Sequence, residues 1–245
     1  MRLKNKIAIV TGAASGFGAG IARRFSEEGA DVLVADIDSA AGERIAREVE
    51  GKFVHADVTR SDDWAKLVSA AGGKLDIVVN NAGWPHRNKP YLEVTEAEFD
   101  RVYAVNVKSI YLSAMHAVPV FRKRGGGCFV NIASTAGIRP RPGLTVYNSS
   151  KGAVITMSKS MAGEFGKDKI RVNCVNPVFS PETALSAEFA GGTVSEEAKA
   201  RFLATIPLGR FSTPLDIANA SLYLASDEAS LVSGVCIEVD GARCV

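Results

Sequence analysis

The chain has 245 residues, with 29 Lys and Arg against 27 Asp and Glu, and 47% of it is hydrophobic. That balance excludes a disordered, collagen-like or small disulfide-stapled protein, since a chain of this length hides roughly 70–75% of its unfolded surface without staples. A net charge of +2 provides no general footprint for nucleic acid or anionic membrane, while 23 glycines against 9 prolines point to backbone brought close to something else.

The N-terminus Met1-Arg2-Leu3-Lys4-Asn5-Lys6 is basic, but it leads into only a short apolar run before glycine. That is too short for a signal-peptide core, and no run approaches the ~18 residues of a membrane span, so a cytoplasmic protein is expected. Continuously apolar, β-branched runs predict strands at Ile7–Thr11, Asp31–Ala35, Lys52–His55, Leu75–Val79, Cys128–Ile132, Arg171–Val175 and Val235–Val239, each buried on both faces. Helical patterns lie between them at Gly16–Glu28, Ala40–Glu50, Ser61–Ala71, Glu96–Arg124 (as two segments), Val146–Gly166 and Pro214–Ala225. This rhythm predicts an α/β fold, a doubly wound parallel sheet with helices on both faces, as one domain over 1–245. Residues 178–205 break the rhythm, with Pro181, Gly191 and Gly192 around short helical pieces, and so long an irregular segment reads as a substrate lid hinged at the two glycines. Cys128, Cys174 and Cys236 sit in apolar runs and read as small buried hydrophobes, while Cys244 has no assignment. His55, His86 and His116 are dispersed without metal-ligand spacing, so no metal is expected.

The first strand runs into Thr11-Gly12-Ala13-Ala14-Ser15-Gly16-Phe17-Gly18 and then a helix. Strand, glycine turn and helix N-terminus make a phosphate cradle, because N–H groups and the helix dipole face the anion. The second strand ends at Asp36, followed by Ile37; an acid there bonds both ribose hydroxyls of NAD and repels a 2′-phosphate. No Arg or Lys is placed to receive that phosphate, so NAD is the expected cofactor.

Taken together, Thr-Gly-x-x-x-Gly-x-Gly, then Asn80-Asn81-Ala82-Gly83, Ser134 and Tyr147-x-x-x-Lys151 resemble the short-chain dehydrogenase/reductase family over residues 5–241. The resemblance implies a Rossmann-type sheet of about seven strands in the order 3-2-1-4-5-6-7. It implies that Gly12, Ser15, Gly16, Phe17 and Gly18 line the diphosphate, that Asp57 and Val58 flank the adenine, and that Asn81, Ala82 and Gly83 lie under the cofactor. Pro177 and Thr183 would approach the nicotinamide. The family's Pro-Gly is here Pro177-Val178, so that contact would come from the Val178 backbone, and Thr183 falls one residue late.

Tyr147 and Lys151 are spaced i, i+4 and share one helix face, and Ser134 follows the fifth strand at the sheet edge where ligands of open α/β sheets sit. A phenol of pKa ≈ 10 is a poor base at neutral pH, and a nearby ammonium favours its phenolate. Tyr147 is therefore the expected acid/base, with Lys151 lowering its pKa and holding the ribose, and Ser134 orienting the substrate oxygen. Asn106 resembles the family's fourth catalytic member, which holds a water in the proton relay; otherwise it kinks its helix.

The basic residues Arg87, Arg139 and Arg141 border the cleft implied by the resemblance, and either meet an anionic substrate group or are solvated or paired elsewhere. Trp84, Phe179, Leu185 and Phe189 are expected in the apolar wall. The leading function is NAD-dependent interconversion of a secondary alcohol and its ketone. A 3-oxoacyl-thioester reductase or 3-hydroxyacyl dehydrogenase is the alternative, which Asp36 disfavours because biosynthetic reductions draw on NADPH. A catalytically silent dinucleotide sensor is the remaining reading. The family also implies a homotetramer built on helices 96–124 and 146–166 and the last strand, with the C-terminal tail near a neighbouring subunit.

Overall fold

The computed structural model describes residues 1–181, 183–190, 192 and 194–245. Seven parallel strands form one sheet: β1 (Ile7–Thr11), β2 (Asp31–Asp36), β3 (Lys52–His55), β4 (Leu75–Asn80), β5 (Gly127–Ile132), β6 (Ile170–Pro177) and β7 (Cys236–Val239). Their order is β3-β2-β1-β4-β5-β6-β7, as the resemblance implied. The helices are α1 (Gly16–Glu27), α2 (Ser39–Glu48), α3 (Ser61–Ala70), α4 (Glu96–Tyr103), α5 (Ser109–Arg124), α6 (Thr145–Phe165), α7 (Ala184–Ala190), α8 (Glu196–Leu203) and α9 (Pro214–Ala225). None of the described helices is long and apolar enough to cross a membrane.

Period-two alternation divides each strand between two cores. Ala8, Val10, Val32 and Val34 pack with Phe25 of α1, Ile45 of α2 and Leu222 of α9. Ile9, Leu33, Val78 and Phe129 face the other way, onto Trp64 of α3, Phe121 of α5 and Val154 of α6. Both faces are covered, which is why the strands read as unbroken apolar runs.

Strand ends differ from expectation where polar residues continue the register. Asn80 pairs opposite Asn131, and Pro177 opposite Val239, so β4 and β6 reach further toward the site. Between Glu96 and Arg124, α4 and α5 are joined by a π turn over Ala104–Lys108 that contains Asn106. Cys128 and Cys174 are buried, but Cys236 is only partly so, because β7 is an edge strand with a single neighbour. Cys236 stands opposite Cys174 in the β6–β7 register. Its hydrogen bond with the Cys174 thiol pulls its pKa down to about 7. The expected lid carries α7 and α8; its expected hinge at Gly191-Gly192 falls partly on Gly191, outside the described residues.

Candidate active site

The C-terminal ends of β1, β2, β4, β5 and β6 open into one cavity of about 370 Å³. Its wall brings together Gly12, Ser15, Gly16, Phe17, Asp36, Ile37, Asp57, Val58, Asn81, Ala82, Gly83, Ser134, Tyr147, Lys151, Pro177, Val178 and Thr183. Of the residues expected at the cofactor, Gly18 alone is missing from it, and Asn106 of the catalytic set lies behind it.

The glycine turn owes its shape to two residues with left-handed backbone, Gly12 (φ 62) and Gly16 (φ 53). Asn81 clamps it: its Nδ2 donates to the carbonyls of Thr11 at 2.8 Å and Gly12 at 3.0 Å. The Thr11 hydroxyl accepts from the N–H groups of Asn81 at 3.0 Å and Ala82 at 3.1 Å. Gly18 is packed tightly against this turn. A Cβ there would lie 2.1 Å from the Gly12 carbonyl oxygen and 2.5 Å from Asn81 Nδ2. Ser15 is the N-cap of α1, yet its side chain caps no N–H, so the first turn of the helix presents free donors to the cavity.

Asp36 Oδ2 accepts from the Ala14 N–H at 2.9 Å and Oδ1 from the Asp38 N–H at 3.0 Å. A carboxylate has about four lone-pair sites, so acceptors remain for two hydroxyls. Ile37 beside it is 65% exposed, an apolar face at the cavity rim. The Asp36 end of the wall also carries Asp57 and, among the described residues, no Arg or Lys. These features fit a dinucleotide whose diphosphate lies on the turn and whose adenosine ribose bears a free 2′-hydroxyl.

At the other end Tyr147 is buried and hydrogen-bonded to Ser134. The Ser134 hydroxyl also accepts from the Ala136 N–H at 3.0 Å, which pins it at the start of a short 3-10 turn. Lys151 Nζ donates to the Ile132 carbonyl at 2.9 Å and stands 5.8 Å from the Tyr147 ring centre. Burial pushes Tyr147 up to about 12, against the opposing pull of the Ser134 hydrogen bond and the Arg141 charge. Burial likewise pushes Lys151 down to about 8. Desolvation thus outweighs the expected lowering of Tyr147, and the charge that opposes it acts from Arg141.

Asn106 is buried, with both amide hydrogens and one lone pair of its amide oxygen in use. Oδ1 accepts the Trp84 N–H at 2.8 Å, while Nδ2 donates to the Trp84 carbonyl at 3.1 Å and to Ser150 Oγ at 2.9 Å. It fixes the segment after Gly83 to α6. The backbone contact expected from Val178 loses its donor, because the Val178 N–H is spent on the Val239 carbonyl at 3.1 Å. Thr183 stands beside Gly16, its hydroxyl donating to the Ser180 carbonyl at 3.1 Å. The Ser180 hydroxyl in the same wall is buried and has no partner among the described residues.

The substrate side differs most from expectation. Trp84, Arg139, Arg141, Phe179, Leu185 and Phe189 are in the wall, but Arg87 is exposed and outside it. Arg101 covers the Trp84 ring at 4.1 Å. Phe189 stands edge-on to Tyr147 at 4.9 Å, so α7 roofs the tyrosine. Among the wall residues that were missed are Arg101, Glu188, Phe202 of α8 and Arg243 of the C-terminal tail. The tail folds onto its own site, where the Arg139 guanidinium donates to the Arg243 carbonyl. Only the run of Phe179, Phe189 and Phe202 in a lid-like segment hinted at this aromatic wall.

A family model described as enoyl-(acyl carrier protein) reductase matches residues 12–242. The chain is 51% identical over 251 residues to 4-formylbenzenesulfonate dehydrogenase TsaC1/TsaC2 of Comamonas testosteroni, covering 99% of each. It superposes with TM-score 0.93 and 40% identity on a 3-ketoacyl-(acyl-carrier-protein) reductase of Brucella melitensis complexed with NADH, over 99% of this chain and 100% of that one. A Burkholderia xenovorans chain described as a short-chain dehydrogenase/reductase matches with TM-score 0.89 and 36% identity, over 99% and 97%. The protein belongs to the short-chain dehydrogenase/reductase family and is an oxidoreductase of that fold.

Proposed function

We propose that the protein interconverts an alcohol and its carbonyl compound with NAD(H), Tyr147 acting as acid/base. The carrying observation is that one cavity holds the glycine turn and Asp36 at one end and the Ser134–Tyr147–Lys151 group at the other. When bound, the dinucleotide supplies or accepts the hydride. Tyr147 exchanges the proton at the substrate oxygen, and Ser134 orients that oxygen by a hydrogen bond. Lys151, pushed to about 8, still carries its charge at neutral pH and faces the phenol. Bringing a phenol from about 12 to neutrality costs about 7 kcal/mol, so Tyr147 acts as a donor unless positive charge accumulates beside it. Asn106 is a positioning residue that holds Trp84 and α6.

The relative named for 4-formylbenzenesulfonate widens the substrate type from ketones to aldehydes. A second reading, 3-oxoacyl-thioester reduction, is favoured by the Brucella structure. That structure carries NADH, so Asp36 does not separate the two readings. The test is NAD⁺ against NADP⁺ reduction over benzylic alcohols, hydroxy acids and secondary alcohols, with acetoacetyl-CoA reduction alongside. Turnover with NAD⁺ and an alcohol, abolished in Tyr147→Phe while NADH still binds, is expected. A Tyr147→Phe variant that keeps full turnover refutes the role of Tyr147. We propose a homotetramer on the same footing: Phe99 of α4 and Tyr111 and Met115 of α5 are exposed apolar residues on the expected interface, and light scattering reads the mass.

A further inference from the structure

Two arginines, Arg141 and Arg243, line the substrate end of the cavity, and Glu188, exposed in the same wall, makes an ion pair with neither. Arg243 is only 6% exposed, and Arg141 is largely buried. Neither guanidinium has a carboxylate partner among the described residues. Arg141 makes no side-chain hydrogen bond there, and Arg243 donates only from Nε, to Thr205 Oγ1 at 3.1 Å. The two share one ring: Arg141 lies 4.9 Å and Arg243 5.0 Å from the centre of Phe202. Arg141 also lies 5.8 Å from Phe189, the ring that stands against Tyr147.

Sequestering one guanidinium costs several kcal/mol, and a second beside it adds repulsion; such groups are found paired. Burial, then Arg243, pushes the Arg141 pKa down, the signature of crowded like charge. Cation–π contact with Phe202 and Phe189 offsets part of this cost. Among the described residues the terminal nitrogens have no hydrogen-bond partner, and both arginines line the cavity that also holds Tyr147. Arg139 holds the tail in place through the Arg243 carbonyl, so the second arginine is built in rather than loose.

We propose that Arg141 and Arg243 form the receptor for an anionic group on the substrate, so that the substrate class is a carbonyl or alcohol on an apolar, ring-sized body that ends in a sulfonate or carboxylate. This rests on the alcohol–carbonyl reading above. The reacting carbon lies at Tyr147 and Ser134, the body slides between Phe189 and Phe202, and the oxyanion takes the guanidinium donors. Arg139 is a positioning residue, and Arg87 takes no part.

Two measurements decide it. In the first, kcat/KM is compared for matched pairs, 4-(hydroxymethyl)benzenesulfonate and 4-(hydroxymethyl)benzoate against benzyl alcohol. The wild type should prefer the anionic member by roughly 100-fold or more, and Arg141→Met or Arg243→Met should each cut that ratio roughly 10- to 100-fold, with Arg141→Lys intermediate. In the second, 4-toluenesulfonate, which cannot react, is titrated into the NADH complex by fluorescence. Binding that weakens in both Met variants at unchanged NADH affinity supports the receptor. A wild type with no anion preference, or 4-toluenesulfonate that is not bound or is bound equally by the variants, overturns it. If no alcohol or carbonyl is turned over with NAD(H), the functional reading falls, while the 4-toluenesulfonate titration still decides the receptor. The wild-type preference needs no variant and survives a misfolded one.

Discussion

Gly18→Ala separates two roles that the spacing of the glycine turn leaves confounded. If Gly18 lines the diphosphate, a methyl there would block the cofactor and leave stability alone. In the structure the new Cβ would lie 2.1 Å from the Gly12 carbonyl oxygen, where a carbon needs about 3.3 Å. The first turn of α1 must then move out by about 1 Å, and overpacking of this kind costs about 1–3 kcal/mol. Asn81 Nδ2, 2.5 Å from the same point, must also give, which weakens its bonds to Thr11 and Gly12 by about 0.5–1.5 kcal/mol each. The sum is about 3 kcal/mol, or about 6–12 °C in Tm for a chain of this size. Thermal unfolding without cofactor reads the first effect, and NADH titration reads how far the displaced turn also loses the phosphate. Gly16→Ala is the control: its Cβ meets nothing nearer than Thr183 at 3.4 Å, so it should cost about 1–2 kcal/mol through its left-handed backbone alone. A Gly18→Ala protein with Tm within 2 °C of wild type (about 1 kcal/mol or less) and weakened NADH binding would refute the packing assignment.

Asp36→Asn keeps the acceptor for the Ala14 N–H but removes the charge, so the kcat/KM ratio of NADP⁺ to NAD⁺ should rise roughly 10-fold or more; an unchanged ratio would remove Asp36 from cofactor choice. Asn106→Ala strands the Trp84 N–H and carbonyl and Ser150 Oγ, and should lower stability by about 2–4 kcal/mol in urea unfolding; a loss below about 1 kcal/mol would show that its side-chain bonds hold little. Glu98 is held down to about 2 by its hydrogen bond from Lys89 and by the Thr95 N–H it caps, so its stabilisation is present above the ordinary carboxylate pKa and is lost as pH falls toward 2. Glu98→Gln should cost about 1–2 kcal/mol at pH 7 after solvent screening, and the gap to wild type should close by pH 2; a gap constant with pH would remove the charge from the account.

The cofactor half of the site was legible, and the substrate half only in outline, for one physical reason. On the proposed reading, phosphate and ribose would be met by backbone and short side chains at the C-terminal ends of β1, β2 and β4. A parallel sheet buried on both faces places those ends from the apolar pattern alone, so Gly12, Asp36 and Asn81 could be positioned by counting along the chain. Even there, spacing could not show that Gly18 packs against the Gly12 carbonyl while Gly12 and Gly16 line the cavity. The substrate wall is made instead by long side chains whose direction depends on packing. Arg87 follows Asn81-Ala82-Gly83 closely yet lies outside the cavity, while Arg243, from the far end of the chain, enters it because Arg139 and Thr205 hold the tail. A π turn has no 3.6-residue signature either, so nothing in the spacing showed that the Asn106 side chain ties Trp84 to α6. Segments that the sheet does not constrain are therefore where members of one fold can diverge in substrate while the hydride chemistry stays in place, and the unbalanced pair at Arg141 and Arg243 lies in such segments.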